Sequence, residues 1–138
     1  MLAAFGVLES QPDHADRAVR TARLMNESLL EINALRDENS QDTIEIGIGI
    51  HSGRLVAGCL DGANRLEFTI IGDTVNMASR IEGLTKELGE PILMSEATRS
   101  LLRDEDKTVE IGPTVIRGVK NEVKISALQM GSIRDQIR

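Results

Sequence analysis

The stretch Arg65-Leu66-Glu67-Phe68-Thr69-Ile70-Ile71-Gly72-Asp73-Thr74-Val75-Asn76-Met77-Ala78-Ser79-Arg80 contains a change of hydrophobic period. Up to Ile71 it reads as a strand, rich in β-branched and aromatic residues. Gly72 turns the chain, and Asp73 or Thr74 can cap a helix running from about Val75 to Leu88. At about 100° per residue, Met77, Ala78, Ile81, Leu84 and Leu88 share one apolar arc. Gly89-Glu90-Pro91 stops that helix.

Working upstream, Ile44-Glu45-Ile46-Gly47-Ile48-Gly49-Ile50 alternates strictly, which predicts a strand with one Ile-rich face. Its glycines leave the other face low, so a backbone or a ligand can approach closely. His51-Ser52-Gly53 reads as a turn, Arg54–Cys59 as the returning strand of a hairpin, and Asp61-Gly62-Ala63-Asn64 as a second turn. Farther upstream, Ala18, Ala22, Met25, Leu29 and Ile32 form the stripe of an amphipathic helix from Ala15 to about Leu35. Asp13 is its candidate N-cap, and Met1–Val7 reads as a short buried strand or strand end.

Downstream, Ile92–Met94 predicts a short strand and Glu96 to about Leu102 a short helix. Val109–Ile111, Thr114–Arg117 and Val123–Leu128 read as three late strands, followed by a ten-residue tail. Helices interrupting groups of strands predict an α+β layer fold, with helices on one face of a mostly antiparallel sheet.

The length of 138 residues fits one domain. With 41% apolar and 28% charged residues, the chain has an ordinary globular balance. Phe5 and Phe68 are the only aromatic residues, so no aromatic platform for stacking bases exists. A net charge of −6 argues against a nucleic-acid partner. Cys59 is the single cysteine, which excludes an internal disulfide and suits a reducing compartment. No apolar run reaches the ~20 residues of a membrane span, and the expected location is cytoplasmic.

On the predicted helix, Asn76 and Arg80 stand four apart, one above the other, opposite the apolar arc. An amide offers a donor and an acceptor, and a guanidinium offers a planar fork to phosphate oxygens. Near a helix N-terminus the pair suits a phosphorylated ligand. Two polar residues at this spacing are also what an ordinary solvated helix face carries. Asp73 reads as a cap rather than a metal ligand, and His51 as surface. No second His or Cys cluster supports zinc, Gly47-Ile48-Gly49 lacks the third glycine of a dinucleotide fingerprint, and no P-loop occurs.

Gly49-Ile50-His51-Ser52-Gly53, Val56-Ala57-Gly58 and the run Arg65–Arg80, in this order, closely resemble the class III adenylate/guanylate cyclase catalytic domain. Leu2-Ala3-Ala4-Phe5-Gly6 resembles the family strand that follows its second metal-binding Asp, and Ile116-Arg117-Gly118 its basic-Gly turn. The resemblance implies a ferredoxin-like nucleotidyl cyclase fold without its N-terminal elements. Residues 1–128 form the partial catalytic domain and 129–138 a tail.

Family active sites form between two domains packed head to tail, one of which supplies two metal-binding Asp residues. The resemblance implies that Asn76 orients the ribose and that Arg80 stabilises charge on the α-phosphoryl. It places Thr69 at the position that reads the base and Arg117 at the basic position for the terminal phosphates. Thr69 favours ATP over GTP, because its hydroxyl can accept from the adenine amino group.

The family's metal carboxylates, its adenine-selecting Lys and its first strand and helices are expected upstream of Met1. Mg²⁺ or Mn²⁺ is expected of the complete domain, with no ligand assignable here. The resemblance thus implies an adenylate cyclase fragment that makes cyclic AMP and pyrophosphate when complete and paired with a second cyclase domain. The alternative is an inactive truncated homologue acting as a dimerisation or nucleotide-binding module. Open sheet edges also lead us to expect a dimer or higher assembly.

Overall fold

The computed structural model describes residues 1–62, 65–103 and 108–130. Helix α1 spans His14–Glu38, followed by β1 (Ile48–Ile50), β2 (Val56–Gly62) and β3 (Arg65–Ile71). Helix α2 (Asp73–Leu88), β4 (Ile92–Ser95), α3 (Glu96–Arg99), β5 (Thr108–Thr114) and β6 (Val123–Leu128) complete the order. A mixed sheet runs β1-β4-β6-β5, and β2 with β3 forms a separate two-stranded sheet. β1 lies parallel to β4, while β6 is antiparallel to both β4 and β5.

The alternation of side chains across these strands builds two cores, one on each face. Ile50, Ile92, Met94 and Leu128 point to one face and meet Ala15 and Ala22 of α1. Leu93, Ile125 and Ala127 point to the other and meet Ile81 of α2. The α+β class is as expected, but helices cover both faces of the sheet rather than one.

The glycines of the Ile-rich segment explain how α2 comes so close. A Cβ on Gly49 would fall on the α2 backbone at Ala78 and Glu82, and one on Gly47 would fall on the Thr85 side chain. The low face of this segment is filled by a helix backbone, one of the two occupants its sequence allows. Gly89, at φ +67, ends α2 in the left-handed region where a Cβ is penalised.

Several expectations are corrected. Met1–Val7 forms no strand: Met1 and Leu2 lie exposed, and no described strand runs beside them to take their backbone groups. The strand expected over Ile44–Ile50 is only Ile48–Ile50, because Ile44 and Ile46 lie outside the ladder with β4.

β1 and β2 do not form a hairpin. His51 and Ser52 are held along the β4–α3 junction by Ser95 and Thr98, so β2 starts away from the sheet and pairs with β3 from Val56↔Ile71 to Gly62↔Arg65. Asp61 and Gly62 belong to β2, while Ala63 and Asn64 of the expected turn lie outside the described residues.

The strand expected at Val109–Ile111 extends as β5 to Thr114, with a bulge between Glu110 and Gly112, whereas the strand expected at Thr114–Arg117 does not form, since Val115 and Ile116 leave the ladder and Arg117 lies in a turn. Gly112 at φ +108 absorbs the irregularity, and an edge strand tolerates Pro113 within it. Helix α3 is shorter than expected and stops at Arg99, with Leu102 buried just beyond it. Residues 129 and 130 follow β6 without regular structure, and 131–138 of the expected tail lie outside the described residues.

Candidate active site

β3 delivers the chain to Gly72, whose φ of +142 redirects it into α2. Neither expected capping side chain acts as a cap, since Gly72 itself occupies the N-cap position and no side chain bonds the first turn. The Thr74 hydroxyl donates instead to the carbonyl of Arg54, tying the start of α2 to the segment before β2. Asp73 is exposed in the first helical turn, where a carboxylate favours the helix dipole.

Rotation along α2 then separates its two faces. Ile81 is 0% exposed, with Met77 and Leu84 packed around its cluster. Asn76 and Arg80 are exposed, one turn apart, at the margin of that apolar face. Beside Arg80 lies the turn Ile116–Val119, closed by a 3.0 Å bond from the Val119 N–H to the Ile116 carbonyl. Gly118 occupies its third position at φ +80, the geometry of a type II turn.

Ile116 is buried in the Ile81 cluster and Val119 packs against it, so one core contact holds both helix and turn. The turn's outer edge carries Arg117, which is exposed. The Arg80 guanidinium rests against Gly118: a Cβ there would stand 3.3 Å from Nη2 and 3.5 Å from Cζ.

Thr69 lies apart from this group, in β3 opposite Gly58, and is half-buried. Among the described residues, no hydrogen bond or ion pair engages the side chains of Thr69, Asn76, Arg80 or Arg117. The structure therefore brings Arg80 against the turn that bears Arg117, keeps Asn76 one helical turn from Arg80, and leaves Thr69 on the β2–β3 hairpin. Two guanidinium groups and an amide with no partner among the described residues can receive an anion without first breaking a bond to those residues.

Two features of this region are not evident in the sequence. His51 is half-buried, and its Nδ1 lies 2.7 Å from the Ser95 hydroxyl, so it is not the plain surface residue expected. Burial lowers its pKa below the ordinary histidine value. Ser52 Oγ lies 2.9 Å from Thr98 Oγ1, and Ser95 and Thr98 are both fully buried. These bonds span 44 and 46 residues, and no local pattern announces them. The Gly118 seat for Arg80 is the other feature; the Arg117-Gly118 dipeptide was visible, but its neighbour was not.

No group of three or more His, Cys, Asp or Glu side chains able to hold a metal ion occurs among the described residues. These residues do not fit a divalent-cation centre, and what they offer is fixed positive charge and an amide. Among the same residues, no helix is long and apolar enough to cross a membrane.

An α+β domain that exposes an amide and two arginines beside a strand–glycine–helix junction fits nucleotide-handling cyclase domains. The chain belongs to the adenylate and guanylate cyclase catalytic domain family, whose model matches residues 1–130. It is 42% identical over 113 residues to an adenylate cyclase of Anabaena cylindrica, covering 71% of this chain and 22% of that protein. It is 34% identical over 105 residues to adenylate cyclase 1 of Rhizobium meliloti, covering 76% of this chain and 16% of the relative.

Among solved structures, the guanylyl cyclase Cya2 superposes with a TM-score of 0.76 at 30% identity, covering 94% of this chain and 65% of that one. The adenylyl cyclase CyaB from P. aeruginosa superposes equally well, at 0.76 and 29% identity, covering 95% of this chain and 67% of that one. The chain thus spans about a fifth of the length of these sequence relatives.

Proposed function

We propose that this chain supplies the ribose- and phosphate-binding half of an adenylate cyclase active site, with a second cyclase domain supplying the metal-binding half. In the reaction the ribose 3′-oxygen of ATP bonds to the α-phosphorus as the bond to the β-phosphate oxygen breaks. The 3′-hydroxyl loses its proton, and cyclic AMP and pyrophosphate leave. Asn76 orients the ribose, Arg80 meets the charge that builds on the α-phosphoryl, and Arg117 holds the terminal phosphates. Such transfers depend on positioning and fixed charge more than on covalent help from the protein.

The observation that carries this reading is the common exposed face of Asn76 and Arg80, with Arg80 lying against the turn that bears Arg117. Thr69 supports adenine as the base through its hydroxyl. Similarity to both adenylate and guanylate cyclases fits either nucleotide, so the preference for ATP rests on Thr69. Residues 1–128 act as the catalytic unit, and 129–138 as a tail outside it.

The test is complementation. The 138-residue chain is assayed with ATP and Mn²⁺, alone and mixed with a cyclase domain that keeps its metal carboxylates but lacks its own ribose Asn and phosphate Arg. Little or no cyclic AMP is expected from the chain alone, and formation well above either component from the mixture. Arg80→Ala should then lower kcat by about 100-fold. Robust turnover by the chain alone would refute the division of labour, and an unchanged kcat for Arg80→Ala would remove that residue from the mechanism.

A further inference from the structure

Arg80 presents a physical problem for the role just proposed. A guanidinium that stabilises a transition state must already be aimed, because aiming it during the reaction costs rate. The arginine side chain is long and flexible, and Arg80 has no hydrogen-bond or ion-pair partner among the described residues. Among the described residues, any restraint on it comes from something other than a polar bond. The neighbouring turn lies against its charged head.

Gly118 fits that task in three ways. Its φ of +80 is open to glycine at no steric cost. Its missing Cβ leaves the space that the guanidinium occupies: a Cβ would stand 3.3, 3.5 and 4.0 Å from Nη2, Cζ and Nε of Arg80. The turn is itself fixed, since Ile116 is 2% exposed and shares a cluster with Ile81, the residue after Arg80. Burial of Ile81 against that cluster therefore sets the distance between Arg80 and the turn.

We infer that Gly118 is a positioning residue for Arg80: its bare backbone forms the seat that holds the guanidinium toward the nucleotide phosphates. This rests on the reading that Arg80 serves the α-phosphoryl. A methyl group at position 118 displaces the guanidinium by a few tenths of an ångström, because the contacting atoms are the free end of a side chain. Such a shift should lower kcat about fivefold while leaving KM within about twofold.

A matched control separates this seat from backbone strain. Gly89 also has a left-handed φ, +67, but a Cβ there meets nothing within 4 Å. Gly118→Ala and Gly89→Ala thus share the conformational penalty, and only the first touches Arg80.

The experiment has two arms. In the 138-residue chain, side-chain NMR of the arginine Nε–Hε groups should show Arg80 restrained relative to Arg117, with an Overhauser contact to the Gly118 α-protons. Gly118→Ala should loosen Arg80, and Gly89→Ala should not. In the complemented enzyme, Gly118→Ala should show the fall in kcat and Gly89→Ala should stay within about twofold of the unsubstituted chain.

An Arg80 as mobile as Arg117 in the unsubstituted chain overturns the inference, and this measurement needs no variant to fold. A kcat equal in the two glycine variants also overturns it. If Arg80→Ala itself leaves kcat unchanged, the active-site reading fails, while the NMR arm still decides whether the seat exists.

Discussion

The two helices that cover the sheet are packed to different standards. On the α2 side, Ile81, Leu93 and Ile125 are 0% exposed, and Gly49 lets the helix backbone reach the strand backbone. On the α1 side the helix is buried only near its start, at Ala15 and Ala22. Beyond Ala22 the helix leaves Leu24, Ile32 and Leu35 at 55%, 47% and 61% exposure, and Ile46 is also exposed. The residues proposed to handle the nucleotide all belong to the closed side or to the hairpin that feeds it. A site that must hold a guanidinium within fractions of an ångström sits on the part of the fold with the least freedom to repack.

The sharpest way to break this contrast is Gly49→Ala. The added methyl falls on the α2 backbone between Ala78 and Glu82, which cannot swing away as a side-chain tip would. Separating α2 from β1 should cost about 3 kcal/mol, the upper part of the range for overpacked cores. Urea unfolding should report the loss as a lower midpoint with an unchanged slope. A midpoint within experimental error of the unsubstituted chain would show that the close packing of α2 on the sheet is wrong.

How much of this was legible in the sequence follows from the range of the interactions. β3 matches its expected bounds and α2 differs only by starting two residues earlier, because a change of period and two glycines are local signals. The exposed pairing of Asn76 and Arg80 was legible for the same reason, since helix geometry alone relates i to i+4. The hairpin partner of β2 was not legible, because the decision is made by His51 and Ser52 reaching Ser95 and Thr98. The end of the strand expected at Val109–Ile111 was set too early, because an edge strand with a bulge runs on through Gly112 and Pro113. The layering was misread because alternation in β4 and β6 shows only that both faces are apolar, not which helix covers each.

A smaller effect probes the junction between the two sides, where His51 bonds Ser95. Burial depresses the folded-state pKa of His51, so the folded chain resists protonation more than the unfolded chain. The associated stability is fully present above the unfolded value of about 6.5. It is lost as pH falls from there, until the folded chain takes up the proton as well. The urea midpoint should therefore fall on acidification below about pH 6.5, and His51→Gln should flatten that slope. Asp13 does not interfere: its hydrogen bond from Arg17 holds its carboxyl below the ordinary aspartate value, so its contribution is lost only at more acid pH. An identical slope in the His51→Gln variant would show that this imidazole is not the group responsible.

The smallest effect is expected where the contrast began, at the open end of α1. Leu35 is 61% exposed and belongs to neither core cluster, so Leu35→Ala removes little that is buried. The unfolding free energy of the 138-residue chain should change by no more than about 0.5 kcal/mol, as for most surface substitutions. The measurement has a second use, because the same stripe is where a neighbouring chain would find apolar surface. Stability that depends on protein concentration, and that Leu35→Ala weakens by more than about 1 kcal/mol, would mean that this side is sealed by association. The difference between the two helices would then belong to the isolated chain and not to the assembly.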